Sequence, residues 1–143
     1  MSEATELVQR LYAAMAANDA RAIADCVGPD AEVTHPGAPP MRGGEQLAQM
    51  TAHQMAAFSG AKFVVNRLID AGDTVVVEHT FHATHTGVLP GPTGPIAGTG
   101  KDIRLDSCDV IQLEGGRVKS FHAYLDMLSL LGQLGLMGAP VPA

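Results

Sequence analysis

Apolar side chains recur at Leu7, Val8, Leu11, Tyr12 and Met15, the spacing that buries one face of a helix. A second, shorter helix is predicted over 20–27. Asn18 and Asp19 precede it as N-cap candidates, and Gly28, Pro29 and Asp30 stop it. Residues 31–35 read as a strand and 36–44, dense in Pro and Gly, as a loop. A third helix is predicted over 45–58, with Leu47, Met50, Met55 and Phe58 as its apolar markers. Beyond Gly60 the period changes to two. Strands are predicted over 62–69, 74–86, 102–113 and 117–125. Between them lie a hairpin-like turn at 70–73, an irregular Gly- and Pro-rich loop over 87–100 and a tight turn at 114–116. A short helix over 127–134 closes the chain. No stretch repeats internally. Helices followed by an antiparallel meander of long strands define an α+β plan with the helices on one face of a sheet.

Alternation along a strand assigns side chains to faces. Over 102–113, Ile103, Leu105, Ser107, Asp109, Ile111 and Leu113 share a mostly apolar face, and Arg104, Asp106 and Gln112 the polar one. Over the last strand, Val118, Ser120, His122, Tyr124 and Asp126 fall together, opposite Arg117, Lys119 and Phe121. If both faces line one cavity, Asp109, His122, Tyr124 and Asp126 converge as polar groups in an apolar pocket, the usual description of a ligand site.

Asp126 stands out within this set. It is the one acid in a nearly uncharged run from His122 to Leu136, with no Lys or Arg within six residues. A buried carboxyl without a counter-ion has a raised pKa, because desolvation disfavours its charged form. Such a group is either a costly accident or a tuned acid or base. A second role competes: Asp directly before a helix is a good N-cap.

Composition narrows the function. The 143 residues suit one domain, 1–143, around one core. Nine Lys plus Arg against fifteen Asp plus Glu leave a net charge of −6 and no basic stripe, which argues against nucleic acid. No run of eighteen apolar residues exists to cross a membrane, and the N-terminus starts acidic without an apolar signal core, so a cytoplasmic location is expected. Cys26 and Cys108 read as free thiols. His79, His82 and His85 invite a metal, but on a strand rising about 3.3 Å per residue the outer two lie roughly 20 Å apart and the middle one points the other way. No metal is expected.

Four segments, in order, resemble the SnoaL-like polyketide cyclases of the NTF2-like superfamily: Asp30 to His35-Pro36; the turn Asp70-Ala71-Gly72-Asp73 into Thr74-Val75; Thr84-His85-Thr86-Gly87 with Thr99-Gly100-Lys101; and Gly116-Arg117-Val118 leading to Asp126 and Gln133-Leu134-Gly135. The resemblance implies a cone in which a curved antiparallel sheet and N-terminal helices enclose an apolar pocket. It also implies an intramolecular aldol condensation without metal or organic cofactor on an apolar polycarbonyl or polycyclic substrate. The implied partners are this small substrate and further copies of the chain, as a dimer or higher oligomer. Asp126 matches the family's acid/base. Around it His122 is expected to assist, and Tyr12, His35, Met50, Phe58, His85, Asp109 and Tyr124 to bind substrate. Where members often carry Glu and Trp in the final strand, Ser120 and His122 stand here. Two alternatives remain at this point: a non-catalytic binder on the same cone, and a limonene-type epoxide hydrolase, for which Arg104 and Asp106 would join Asp126.

Overall fold

The computed structural model describes residues 2–91 and 93–137. Helix α1 (Glu3–Ala16) starts where the Ser2 hydroxyl accepts the Thr5 N–H, and Glu3 and Glu6 in its first turn suit the positive end of the helix dipole. Asn18, with φ of 51°, turns the chain into α2 (Ala20–Cys26), which Asp19 caps through the Ala22 N–H. Strand β1 (Val27–Thr34) begins earlier than its apolar residues suggest. It runs through Pro29 and Asp30 with an irregular register between Val27 and Glu32. The expected loop over 36–44 contains a two-residue strand, β2 (Met41–Arg42), paired with β1. Helix α3 (Gly43–Ala57) follows, then the long strands β3 (Phe58–Asp70) and β4 (Thr74–His85). The segment expected as irregular over 87–100 holds a small hairpin, β5 (Leu89–Gly91) and β6 (Gly94–Ile96). Strands β7 (Asp102–Glu114) and β8 (Arg117–Leu125) and helix α4 (Met127–Gln133) complete the fold.

The main sheet has the order β2-β1-β8-β7-β4-β3. It is antiparallel except that β1 joins β8 in parallel, so the meander from β3 to β8 is closed by a strand from the helical half. Helices α1 to α3 bury Leu7, Val8, Leu11, Ile23 and Leu47 against Val33, Val75, Val77, Ile111 and Phe121 of the sheet. A second apolar cluster joins Phe58, Phe81, Ile103 and Leu105 to Leu130 and Leu134 of α4. Gln133 fixes α4 to β7 by accepting the Arg104 N–H and donating to its carbonyl, both at 2.8 Å. Phe63 touches both clusters.

One irregularity decides which side chains face the core. Between β7 and β8, Gln112 pairs with Ser120 but Leu113 pairs with Val118, which leaves Lys119 as an extra residue. Such a β-bulge shifts the alternation by one. Val118 is buried on one side of it, and Phe121 and Ala123 are buried beyond it.

Candidate functional site

Strand β7 carries Asp109 inward, as its alternation predicts, and the carboxylate is 2 % exposed. Two groups hold it. The Tyr12 hydroxyl of α1 donates to Asp109 Oδ2. His79 Nε2 lies 2.8 Å from the same oxygen. In the β4–β7 register Asp109 pairs with Val77 and His79 with Ser107, so His79 and Asp109 are diagonal neighbours on the inner face. Burial pushes the Tyr12 phenol well above its ordinary range, and the charge of Asp109 and the hydrogen bond to it push it further. Tyr12 is therefore a neutral donor. His79 is 6 % exposed, and its other ring nitrogen, Nδ1, has no hydrogen-bond partner among the described residues.

The cluster borders a cavity of about 40 Å³. Met15, Phe63, Phe81, Leu105, Phe121, Ala123 and Leu125 form its apolar wall; His35, Met50, Gln54, His79, Ser107 and Asp109 complete the lining. The lining has no Lys or Arg. This volume lies below the 300–1,000 Å³ of sites for drug-sized ligands. It is also below the roughly 150 Å³ of an engineered apolar cavity that takes up benzene. An organic substrate requires Met15 and Met50 to give way, and Met is the side chain that yields most readily.

The expected site is thus split. Asp109, His35 and Met50 line the cavity, and Tyr12 reaches it through Asp109. His35 is turned so that Nδ1 faces the Pro36 carbonyl at 2.9 Å. Phe58 and His85 are buried beside the cavity rather than in its lining. Their rings lie 5.4 Å apart between centroids, tilted by 44°, and His85 Nδ1 accepts the Thr99 N–H at 3.2 Å.

Three expected residues lie elsewhere. Asp126 is exposed, and its Oδ1 accepts the Ser129 N–H at 2.9 Å as the N-cap of α4. It caps α4, and the expected burial without a partner does not hold. His122 and Tyr124 face away from the cavity because the Lys119 bulge reverses the alternation that placed them inside. His122 pairs with Glu32 at 3.4 Å, and Tyr124 is 57 % exposed. Arg104 and Asp106 form an exposed pair at 3.8 Å on the outer face, so with Asp126 they build no common site.

His79, which its spacing with His82 and His85 suggests only as a metal ligand, stands against Asp109 in this cluster. Among the described residues no three His, Cys, Asp or Glu side chains are placed to hold a metal ion. No helix among them is long and apolar enough to cross a membrane. The signal for His79 was available in its inward parity with Val77 and Phe81, and in Asp109 on the neighbouring apolar face.

Several solved structures share this architecture. A candidate SnoaL-like polyketide cyclase from Jannaschia sp. CCS1 superposes with a TM-score of 0.82 at 18 % identity, covering 96 % of this chain and 94 % of its own. A ketosteroid isomerase-like protein from Catenulispora acidiphila, in complex with trimethylamine, gives 0.76 at 21 % identity, with 94 % and 98 % covered. An epoxide hydrolase from M. tuberculosis, of the LEH-like kind, gives 0.70 at 20 % identity, with 92 % and 89 % covered. These likenesses define an NTF2-like α+β cone. Residues 8–121 match the SnoaL-like domain, and the chain belongs to that family. No curated protein matches the sequence.

Proposed function

We propose that the protein is a cofactor-independent acid–base enzyme of the cyclase type, which removes a proton beside a carbonyl and returns it after an intramolecular aldol-type condensation. The observation that carries this reading is the buried Tyr12–Asp109–His79 cluster at the edge of an otherwise apolar cavity. Buried polar clusters of this kind are costly unless fully paired, and this one leaves a ring nitrogen unpaired. An apolar, water-poor setting strengthens every electrostatic interaction made by the reacting groups. The hydroxyl of Ser107 and the amide of Gln54, both in the lining, are the neutral donors available to a developing enolate oxygen. The substrate is a small, uncharged polycarbonyl compound, since the lining offers no cation to an anion and Asp109 repels one.

The test is deuterium exchange into the CH₂ of pentane-2,4-dione, followed by NMR, and then ring closure of short diketones. Catalysed exchange that disappears in Asp109→Asn supports the reading; equal rates with and without protein overturn it.

A second reading is a non-catalytic binder of a small organic cation. It is favoured by the carboxylate of Asp109 beside the rings of Phe63, Phe81 and Phe121, since a cation is attracted to ring faces. Calorimetric binding of trimethylamine without any exchange activity would select it.

A further inference from the structure

The geometry points to His79 Nδ1, rather than a carboxylate oxygen, as the atom that takes and returns the proton, with Asp109 and Tyr12 as its positioning residues. This inference rests on the acid–base reading of the same site. Both hydrogen bonds to Asp109 end on one oxygen, Oδ2. Tyr12 keeps its phenol proton and donates it, so the carboxylate accepts. A carboxyl oxygen that accepts from one side is matched by a donor on the other, so the second group facing Oδ2 also donates. His79 therefore carries its proton on Nε2, and in the neutral ring Nδ1 is bare. That nitrogen is the one buried polar atom of the cluster left without a partner, on a residue that lines the cavity. A carboxylate that fixes the tautomer of an imidazole and stabilises the imidazolium formed during reaction is the arrangement that turns a His into a general base. Here the supporting shell has a further layer, because the Tyr12 hydroxyl fixes the carboxylate in turn.

The step balances within the site. The substrate C–H bond breaks, the N–H bond forms at Nδ1, and the electron pair moves onto the carbonyl oxygen as an enolate. The positive ring is offset by Asp109. After the enolate carbon joins the second carbonyl, Nδ1–H gives its proton to the new alkoxide oxygen. No oxidant, reductant or metal takes part in this exchange of one proton.

The experiment begins with ¹H–¹⁵N correlation through two and three bonds on protein labelled at its histidines, with His79→Gln for assignment. The expected result is a protonated Nε2 and an unprotonated Nδ1 for His79. In Asp109→Asn the amide can donate to Nε2, and the expected tautomer is the opposite one. A protonated Nδ1 in the wild-type resting state overturns the inference, whatever the activity. Exchange into pentane-2,4-dione then reads the chemistry: His79→Gln is expected to lose roughly 10²- to 10⁴-fold. In His79→Ala, added imidazole is expected to restore part of the rate, which a purely structural histidine would not allow. Retained exchange in a folded His79→Gln overturns the assignment even where the acid–base function stands. If the wild type exchanges no carbon acid, the function fails instead, and the tautomer still decides the placement of the proton.

Discussion

The inner face of β4 carries two buried histidines, His79 in mid-strand and His85 at the end, and the pair differs in what is left over. His79 gives its Nε2 proton to Asp109 and leaves Nδ1 unpartnered among the described residues. His85 Nδ1 accepts the Thr99 N–H, which can only donate, so its proton also sits on Nε2, the atom without a partner among the described residues. Both rings hold the same tautomer. The first leaves a lone pair free, the second a donor. The rings of Tyr12, Phe63, Phe81 and Phe58 fill the space between, with neighbouring centroids 5.1–6.4 Å apart. A buried histidine is thus not a functional signal by itself. A carboxylate on one nitrogen makes the other basic, and a backbone amide on one nitrogen makes the other a donor.

The sharpest way to break the comparison is to remove the carboxylate. Asp109→Asn is expected to lower exchange by roughly 10³- to 10⁴-fold, the scale of a mis-set histidine tautomer, while circular dichroism reports an intact fold. Thr99→Ala, beside His85, is expected to leave the rate unchanged and to lower stability by about 1 kcal/mol for the lost hydroxyl bond to His85. Equal losses at both histidines would erase the distinction between them. Next in size is charge selection: pentane-2,4-dione is expected to be exchanged at least about tenfold faster than acetoacetate, which carries an anion into a lining without Lys or Arg and beside Asp109.

Tyr12 sharpens the picture through stability and pH. Tyr12→Phe leaves Asp109 one donor short in a buried place and is expected to cost about 1–3 kcal/mol in urea unfolding. The sign of the pH effect follows from its raised folded pKa. Below pH 10 the phenol is protonated folded and unfolded, and its contribution is constant. Above pH 10 the unfolded chain releases the proton and the folded one keeps it, so stability falls as pH rises, by about 1.4 kcal/mol per pH unit. The fall is expected to be shallower in Tyr12→Phe; an unchanged slope would mean that Tyr12 is not held protonated. The smallest effect is at Asp126. Asp126→Ala is expected to cost about 1 kcal/mol as a lost cap, Asp126→Asn close to nothing, and neither to change exchange.

Those contrasts also mark how much the sequence revealed. Helical spacing placed α1 to α4 within a few residues, because each has an apolar stripe and α1, α2 and α4 a side-chain cap. Strict alternation in β7 put Asp109 on the apolar face, and its burial follows. The same rule misplaced His122 and Tyr124, because one unpaired residue in β8 leaves no mark in the composition of an alternating strand. Asp126 lies in an apolar run and is still exposed, since the apolar residues around it serve the packing of α4 through Leu130 and Leu134 rather than its own burial. His79 needed a partner thirty residues away, and only the β4–β7 register brings that partner within 2.8 Å.

The extra residue at Lys119 sets the reading frame of the cavity wall. Upstream of it, even-numbered Val118 points inward; downstream, the odd-numbered Phe121, Ala123 and Leu125 do. Were every residue of β8 paired in strict alternation from Val118 onward, Ser120, His122 and Tyr124 would enter the chamber, and two of its apolar panels, Phe121 and Ala123, would turn to solvent. Deleting Lys119 would instead close the bulge and leave each flanking side chain on its present face. One unpaired lysine on the surface thus keeps the chamber opposite Asp109 dry.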